Sequence, residues 1–391
     1  MNKSILNIDI QDFINKNLNE DPARLILKGS PFPEIKIQEI ADQIISKRKC
    51  EKKLPTWFQT NSIYYPNRIN IEQTSSEITA DYKATLVSGI SLVDITGGFG
   101  VDCYYFAKKI NKVVHCEIAP DLSQIVRYNF KIMRVENVKT ATENGLDYLR
   151  RDNKRYDWIY ADPSRRNDTK GRVFLLEDCS PDIPKNLDLL FEFSDNVLLK
   201  ISPLLDISAT IKALKNTKEI HVVAVNNEVK ELLFLLQKNY TAEITLRTVN
   251  IKNKTIEIFD SSSNQKAKAS YHLPCNYLYE PNAAILKSGL FNEVSSQLNV
   301  YKLHSNSHLY TSENLIEFPG RRFRIVQSTV FDKKKLLQLI PSGKANITTR
   351  NFYQSVAQIR KKTGIKDGGS VYLFFTTNLH NKPVVLICEK V

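Results

Sequence analysis

The chain has 391 residues, of which 42% are hydrophobic and 25% charged, a composition that suits about two or three globular domains. No apolar run approaches the ~20 residues that span a bilayer, and the amino terminus lacks a basic-then-apolar signal pattern, so we expect a cytoplasmic protein with no membrane partner. The net charge of +13 favours polyanionic partners such as nucleic acids, although solvated lysines or a basic proteome explain it too.

The cysteines are scattered, and none forms a CxxC pair or a Cys/His cluster at metal-ligand spacing. In an untargeted chain this pattern predicts reduced, mostly buried thiols, so we expect no disulfide and no metal site. The cysteines are Cys50, Cys103, Cys116, Cys179, Cys275 and Cys388.

Residues 1–85 are predicted to form a helical N-terminal region. Isoleucines between positions 35 and 45 recur near helical spacing after a break at Gly29–Pro33, and a further helix is expected to begin near Thr79.

Residues 86–262 alternate short apolar strands with helical segments such as Pro120–Arg134 and Glu228–Lys238. This alternation predicts a parallel, doubly wound, Rossmann-like α/β sheet, with its last two strands forming an antiparallel pair at the edge. The predicted strands are Ser91–Ile95, Lys112–Glu117, Val138–Ala141, Trp158–Ala161, Asn196–Ile201, Ile220–Val225, Ile244–Asn250 and Thr255–Phe259.

A polar segment at 261–270 is predicted to be a linker, and the pattern changes after it. We expect small α+β C-terminal modules at 271–325 and 326–391, with a turn and a helix in Asn276–Leu298. The predicted elements of the second part are strands at Phe323–Val330, Lys344–Thr349, Val371–Thr376 and Val384–Cys388, and a basic helix over Asn351–Thr363.

A glycine-rich turn in Leu92–Asp102 (LVDITGGFGVD) joins an apolar strand to a helix. Such a unit, at the carboxyl edge of a doubly wound sheet, is typical of a nucleoside-binding site, although neither GxGxxG nor a P-loop fits the spacing. Glu117 ends the next strand, 23 residues after Asp94, which suits a carboxylate that binds both ribose hydroxyls. The alternative is an ordinary tight turn with a surface acid.

Together these motifs resemble the first two motifs of class I S-adenosylmethionine-dependent methyltransferases. The resemblance implies S-adenosyl-L-methionine as cofactor, with the loop against its methionine and ribose parts and Glu117 on the ribose. After the third strand, Asn144 stands where related enzymes often place an Asp beside the adenine. The cofactor-binding residues so implied are Asp94, Thr96, Gly97, Gly98, Gly100, Glu117 and Asn144.

The segment Gln73–Lys83 lies where class I enzymes often have an element that closes over the cofactor. Its hydroxyls and the Lys83 ammonium would suit the methionine carboxylate, whereas an N-cap explains Ser76 equally well. Lys83 is therefore included among the expected cofactor-binding residues.

The sequence Asp162-Pro163-Ser164-Arg165-Arg166 ends the fourth strand and resembles the Asp/Asn-Pro-Pro-aromatic motif of amine-directed methyltransferases. The resemblance implies that Asp162 and Pro163 are catalytic, with the acidic side chain and the adjacent backbone carbonyl holding the acceptor in line with the methyl group. Arg165 and Arg166 are predicted to bind a substrate phosphate or carboxylate; salt bridging inside the loop is the alternative.

The motif departs from the family in having Ser164 at the second proline and no aromatic residue after it. Stacking of a flipped base would then fall to Tyr160, Trp57 or Tyr64. Because no cysteine lies in the motif or after the next strand, a nitrogen or oxygen acceptor is expected in preference to a pyrimidine carbon.

The C-terminal segment resembles the THUMP-like domain that a group of bacterial methyltransferases carries. Sequences that carry this resemblance are Lys344–Arg350 (KANITTR), Tyr277–Asn282 and Phe318–Arg322. THUMP domains proper bind RNA in several tRNA-modifying enzymes, so the resemblance implies RNA contacts, for which we select Arg360 and Lys361. A basic face would contain Arg321, Arg322, Arg324, Arg350, Arg360, Lys361 and Lys362, although a solvated helix face is the alternative.

We therefore expect an S-adenosylmethionine-dependent methyltransferase that modifies a nitrogen in structured RNA, either tRNA or rRNA. Two alternatives stay open at this point: a small-molecule or protein methyltransferase, and a cofactor- or RNA-binding protein without catalysis.

Overall fold

The computed structural model describes residues 1–164, 166–167, 171–172, 175–253, 255–262 and 267–391. The chain divides into two compact units. The first contains Met1–Lys218 and Leu232–Thr241, and the second contains Glu219–Glu231 and Ala242–Val391.

The first unit begins with the helices that the sequence predicts. Isoleucines of the first and third helices, including Ile10, Ile14, Ile40 and Ile44, form a closed apolar cluster. The helix predicted near Thr79 begins at Glu77, with the Ser76 hydroxyl accepting the N-cap hydrogen bond from Thr79 N–H. The helices are α1 (Ile8–Lys16), α2 (Pro22–Lys28), α3 (Ile37–Lys53), α4 (Pro55–Gln59), α5 (Arg68–Gln73) and α6 (Glu77–Ala84).

A doubly wound sheet follows in the first unit. Its elements, numbered in chain order, are β1 (Ser91–Asp94), α7 (Val101–Phe106), β2 (Lys112–Cys116), α8 (Pro120–Ile132), β3 (Val138–Ala141), α9 (Gly145–Asp152), β4 (Trp158–Ala161), the short pair β5 (Arg166–Asn167) and β6 (Gly171–Arg172), α10 (Ile183–Phe193), β7 (Asn196–Ile201), α11 (Ile207–Ala213), β8 (Thr217–Val225) and β9 (Glu228–Gln237). Glu219–Glu231, which contains most of β8 and the start of β9, belongs to the second unit. In the first unit the spatial order is β9-β7-β4-β1-β2-β3.

The strands β7, β4, β1, β2 and β3 run parallel, and β9 runs antiparallel to β7. Because the parallel strands are buried under helices, their side chains are apolar on both faces; Leu92, Val93, Ile159 and Val197 are almost fully buried. Their carboxyl ends therefore meet at one edge of the sheet, where Asp94, Glu117 and Asp162 follow the strands.

The helix predicted over Glu228–Lys238 is wrong, since this segment is the strand β9. Its Leu and Phe residues favour a helix by propensity, but the run Leu232–Leu236 is buried on both faces beside β7. Asn226 and Asn227 both have positive φ, the geometry of a two-residue hairpin turn. The two adjacent asparagines are the sequence feature that indicates a hairpin, and therefore a strand, at this point.

The second unit contains β8 and the antiparallel pair predicted from the sequence. Those strands are β10 (Thr245–Lys252), which runs parallel to β8, and β11 (Thr255–Ser262). Because β11 continues to Ser262, the first two residues of the predicted linker belong to a strand, and residues 263–266 lie outside the described part of the chain.

A mixed sheet with flanking helices completes the second unit. Its elements are β12 (Tyr277–Pro281), α12 (Ala283–Ser288), α13 (Phe291–Gln297), β13 (Tyr301–Lys302), β14 (Tyr310–Ser312), β15 (Gly320–Thr329), α14 (Lys333–Leu339), β16 (Asn346–Arg350), α15 (Val356–Thr363), β17 (Val371–Thr377) and β18 (Pro383–Lys390). The spatial order is β13-β14-β12-β15-β18-β17-β16. The range Asn276–Leu298, for which a turn and a helix were predicted, contains the strand β12 and two helices, α12 and α13, joined at Gly289.

Helices α14 and α15 bury Leu336, Ile340 and Ile359 against Phe375 and Val385 of the sheet. A capping box at Ser355 and Gln358 starts α15, and Gly364 ends it with a positive φ. Both helices therefore lie on one face of this sheet.

In the described part of the chain, no helix combines the length and the apolar character of a membrane span. The six cysteines are free thiols.

Candidate active site

Thr96 joins the ends of two neighbouring strands at the carboxyl edge of the first unit's sheet. Asp94 Oδ1 accepts hydrogen bonds from Thr96 N at 2.8 Å and Thr96 Oγ1 at 3.2 Å. The same Oγ1 accepts the backbone N–H of Asp162 at 2.7 Å. The carboxyl end of β1 is thereby linked to the first residue after β4.

Asp94 is almost completely buried, and burial raises its pKa to about 7. The hydrogen bond from Thr96 N opposes this effect, and the neighbouring Asp102 carboxylate adds to it. Asp94 is therefore a carboxyl group that titrates near neutral pH at the end of β1.

Packing requires glycine at two positions of the loop, and the backbone conformation requires it at two. A Cβ on Gly97 would collide with the His115 imidazole, and a Cβ on Gly100 would collide with Phe130 and Val126. Gly98 and Gly100 have φ values of +55° and +77°, which side chains other than glycine rarely adopt. Thr96, Gly97 and Gly98 stay partly accessible between the buried Asp94 and Phe99, so this part of the backbone can be reached from solvent.

Glu117 holds this loop from the neighbouring strand end. Its Oε2 accepts the Gly98 N–H at 2.9 Å, and its Oε1 accepts the Ala119 N–H at 2.8 Å. Burial raises the pKa of Glu117 above its ordinary value, against the effect of these two donors. Each carboxylate oxygen retains a lone pair for a further donor.

His115 lies beneath the loop and was missed by the sequence reasoning. Its side chain is fully buried, Nε2 lies 3.2 Å from the Gly98 carbonyl oxygen, and burial lowers its pKa to about 4. The neutral ring therefore fills the space that the absent Cβ of Gly97 leaves.

Ile118 follows Glu117 directly and is 67% exposed. An exposed isoleucine beside the half-buried Glu117 carboxylate offers an apolar surface next to a polar anchor, a combination that suits a nucleoside. Ile118 could have been selected from the sequence because it directly follows Glu117, the acidic residue at the end of a strand.

Asn144 has a role as a helix cap. Its Oδ1 accepts the N–H groups of Leu146 at 2.9 Å and of Asp147 at 3.4 Å at the start of α9. A Cβ on Gly145 would collide with the Ile95 backbone, so this helix start packs against the end of β1. The contact from Asn144 to adenine stays a prediction.

A buried charge network lies behind the loop. The Lys83 ammonium lies 3.2 Å from Asp102 Oδ1 and donates to the Ser75 hydroxyl at 2.9 Å. Asp102 Oδ2 accepts from Ser75 Oγ at 2.9 Å and from the Tyr160 hydroxyl at 2.8 Å. Lys83 is fully buried, and its expected contact with the cofactor carboxylate stays a prediction.

Asp102 is held ionised by this network. Burial alone would raise its pKa, but the Lys83 and Lys200 ammonium groups and the two hydroxyls outweigh burial, so the pKa lies below its ordinary value. Asp102 also lies in the first turn of α7, where a carboxylate stabilises the helix.

Asp162 pairs with a lysine that sequence reasoning did not select. Its Oδ2 accepts from Lys200 Nζ at the carboxyl end of β7, and the two side chains are 30% and 13% exposed. Lys200 is the one charged residue inside the apolar strand Asn196–Ile201, and this position marks it in the sequence. Pro163 is buried. Arg165 lies outside the described residues, and of Arg166 only the backbone pairing in β5 is described.

Two of the aromatic residues considered for base stacking belong to the core. Trp57 and Tyr160 are each 1% exposed; Trp57 packs on Tyr104, and the Tyr160 ring packs on Phe106. Base stacking by either residue is therefore wrong, because no face of the ring is accessible. Tyr64 is half-buried.

In the second unit, most arginines of the predicted basic face are paired with carboxylates. Arg321 and Arg350 both contact the buried Glu280. Arg321 Nε donates to Oε2 at 2.6 Å, and Arg350 Nη2 donates to Oε1 at 3.0 Å. Arg322 pairs with Glu317, Arg324 with Glu389, and Arg360 with Asp367.

Arg360 also donates to the backbone oxygens of Ile365 at 3.0 Å and Ala345 at 3.3 Å, so it holds the loop after α15. Lys361 and Lys362 are exposed. RNA contacts by Arg360 and Lys361 stay predictions.

Comparison with known proteins agrees with this architecture. A family model described as a ferredoxin-like domain matches residues 277–319, and one described as THUMP domain-like matches residues 320–390. No curated protein matches the chain.

Among solved structures, a candidate methyltransferase from Porphyromonas gingivalis W83 is 30% identical with a TM-score of 0.89, over 100% of this chain and 99% of that one. The modification subunit of a candidate type I restriction enzyme from Vibrio vulnificus YJ016 is 14% identical with a TM-score of 0.37, over 50% of this chain and 56% of that one. An rRNA methylase from Streptococcus thermophilus is 14% identical with a TM-score of 0.30, over 41% of this chain and 94% of that one.

The sheet and its loop define the class I methyltransferase fold, and the C-terminal part is THUMP-like. The chain belongs to the same family as the P. gingivalis protein, which it matches along its whole length.

Proposed function

We propose that this protein is an S-adenosylmethionine-dependent methyltransferase that modifies a nitrogen in structured RNA, either tRNA or rRNA. The observation that carries the proposal is the hydrogen-bonded link from Asp94 through Thr96 to Asp162. It couples the glycine-rich loop to the residue expected to hold the methyl acceptor, and family membership with a candidate methyltransferase supports it.

The residues around the loop fit the cofactor. The Glu117 carboxylate retains lone pairs for the ribose hydroxyls, and Ile118 offers an exposed apolar face for the adenine. Gly97 and Gly98 stay partly accessible, so a ligand can approach the backbone of the loop there.

When bound, the cofactor supplies a methyl group on a positively charged sulfur that is a good leaving group. The chain then has to position the acceptor and exclude water, because displacement at this carbon needs alignment more than acid or base strength. Asp162 accepts a hydrogen bond from the acceptor N–H, which aims the nitrogen lone pair. Thr96 fixes the Asp162 backbone, and Lys200 fixes one of its carboxylate oxygens.

Lys200 also bears on the kind of acceptor. Its ammonium neutralises Asp162, so a protonated alkylamine gains little from this site. A neutral nitrogen, such as a base amino group, keeps its lone pair at neutral pH and still donates to the second Asp162 oxygen. This favours a nucleobase over a lysine side chain.

The RNA part of the proposal rests on the THUMP-like segment and on exposed lysines of the second unit. Since the five arginines of the predicted basic face are paired, the cations accessible to phosphate include the exposed lysines of α14 and α15. They are Lys333, Lys334, Lys335, Lys361 and Lys362.

The proposal is tested by methyl transfer from labelled S-adenosylmethionine into RNA, protein and small-molecule fractions from a deletion strain. We expect label in one RNA size class with the wild type, and its loss with Asp162→Ala. The modified nucleoside then identifies the acceptor atom. Label in protein or small molecules alone contradicts the RNA target, and no transfer with intact cofactor binding contradicts catalysis.

A further inference from the structure

A second concave site lies on the methyltransferase unit, at the carboxyl end of α8. The cavity has a volume of about 280 Å³, and its lining includes Arg127, Lys131 and Arg134, with Phe130 and Val138 as apolar walls. Apart from Phe130, whose ring also packs beside Gly100, these residues take no part in the site described above.

The two sites lie at opposite edges of the sheet. Helix α8 starts three residues after Glu117 and runs back along the sheet for 13 residues, or about 20 Å. The cavity is at its far end, beside Val138, which pairs with Val113 near the start of β2. A ligand here would therefore contact residues outside the glycine-rich loop.

Arg127 and Lys131 lie on one side of α8 because they are four residues apart in the helix, and Arg134 lines the same cavity. Arg127 Nε donates to Thr140 Oγ1 at 2.8 Å, which orients its guanidinium across the edge strand β3. Arg134 follows the helix end with a φ of +55°, a turn that keeps it beside Lys131. Among the described residues, none of the three cations is ion-paired with a carboxylate, although Glu136 also lines the cavity.

A helix carboxyl end attracts cations by itself, but its dipole corresponds to only about half a charge. That accounts for one cation and not for three around a cavity. The arginines of the neighbouring α9 show the contrast, since Arg150 pairs with Asp147 and Arg151 with Glu143. Three unpaired cations in one concave surface repel each other unless an anion joins them.

We infer that this cavity binds phosphate groups. Guanidinium groups match phosphate oxygens in geometry, and the apolar walls lower the local dielectric, which strengthens such contacts. The phosphates belong either to the backbone of a polynucleotide or to a free nucleotide. The inference does not depend on the proposed methyl transfer.

Two probes test the site in the full-length chain: pyrophosphate by calorimetry, and a short fluorescein-labelled RNA by fluorescence anisotropy over a range of salt concentrations. The variant is Arg127→Gln/Lys131→Gln/Arg134→Asn, with Asn chosen because it tolerates the positive φ. We expect at least a tenfold loss of affinity, and for RNA a salt slope reduced by about 2, since each single-strand phosphate contact contributes about 0.7.

The control Lys16→Gln/Lys28→Gln/Lys52→Gln removes the same charge from exposed positions of the helical region. Circular dichroism shows whether the triple variant folds. If it does not, the same two binding measurements are made on the single variant Lys131→Gln. Loss of both probes in the cavity variants alone assigns the site to a polynucleotide backbone, and loss of pyrophosphate alone assigns it to a free nucleotide. Equal losses in the control, unchanged binding in the cavity variants, or no binding by the wild type overturns the inference.

Discussion

Replacement of Lys83 by methionine tests whether the buried network behind the glycine-rich loop stabilises the first unit. The substitution keeps the apolar stem but removes the ammonium that lies 3.2 Å from Asp102 Oδ1. Asp102 then keeps its hydrogen bonds from Ser75 and Tyr160 but loses its paired charge in a site where its side chain is 11% exposed.

The expected cost is about 3–5 kcal/mol, the range for removing one partner of a buried ion pair. Against a total stability of about 5–15 kcal/mol this is a large fraction, and it corresponds to a fall in Tm of roughly 10 °C. Denaturant unfolding followed by circular dichroism measures it. Lys109→Met, an exposed lysine three residues past α7, is the matched control.

The sign of the pH dependence gives a second readout. Since the pKa of Asp102 lies below its ordinary value, its contribution to stability is present above the pKa of the unfolded chain, near 3.9, and is lost as the pH falls through the folded pKa. Lys83→Met should remove most of this acid sensitivity. A variant that unfolds within ~1 kcal/mol of both wild type and control would refute the reasoning, because exposed lysines change stability by no more than that.

Further predictions concern the loop and the acceptor site. Glu117→Gln should weaken S-adenosylhomocysteine binding about tenfold or more in calorimetry, because a charged hydrogen bond contributes about 1.5–3 kcal/mol, and an unchanged affinity contradicts the ribose role. Ile118→Ser should weaken the same binding by a smaller factor of about 5–10 without changing the fold, as expected for an apolar contact. Asp162→Ala should reduce methyl transfer by about a hundredfold or more with binding nearly intact, and Lys200→Met should reduce it less, so that equal binding losses in both would argue against positioning. Burial raises the pKa of Asp94 to about 7, so the stability that the protonated carboxyl contributes is full below the unfolded pKa near 3.9 and is lost as the pH rises through 7. Between those limits the free energy of unfolding of the wild type should fall by ~4 kcal/mol relative to Asp94→Asn. Parallel profiles of unfolding free energy against pH for the two proteins would contradict this prediction.

The buried strands were predictable because their patterns are continuous and their ends carry polar residues. Asp94, Glu117 and Asp162 follow strands whose neighbours are apolar on both faces, so the sequence alone brings them to one edge. Thr96 joins two of them through a hydroxyl, a link that depends on strand order and thus on structure.

Strand β9 was not predictable from periodicity, since a short run of leucines fits a helix and a buried strand equally. The paired asparagines at 226 and 227 distinguish the two, because their positive φ values reverse the chain within two residues. Charge pairing was hidden for another reason. The carboxylate partner of Arg350 is Glu280, 70 residues away, so a basic run in the sequence gave no information about which cations remain accessible.

The hydrophobic periodicity of the sequence distinguishes the helices before residue 85 from the sheet that follows. Hydrogen bonds and an ion pair nevertheless connect the two regions. Ser75 and Lys83 contact Asp102, directly after the glycine-rich loop, and Glu77 accepts hydrogen bonds from Thr56 N at 2.6 Å and from the Tyr105 hydroxyl at 2.8 Å. Helix α7 begins at Val101, and its N-cap residue Gly100 has no side chain to cap it. The helical region therefore supplies, through Lys83 and Ser75, the polar partners that fix Asp102 in the first turn of α7. It follows that the glycine-rich loop takes its shape from both sequence regions, and that removing the helical region would take from Asp102 its Lys83 partner and the Ser75 hydroxyl donor.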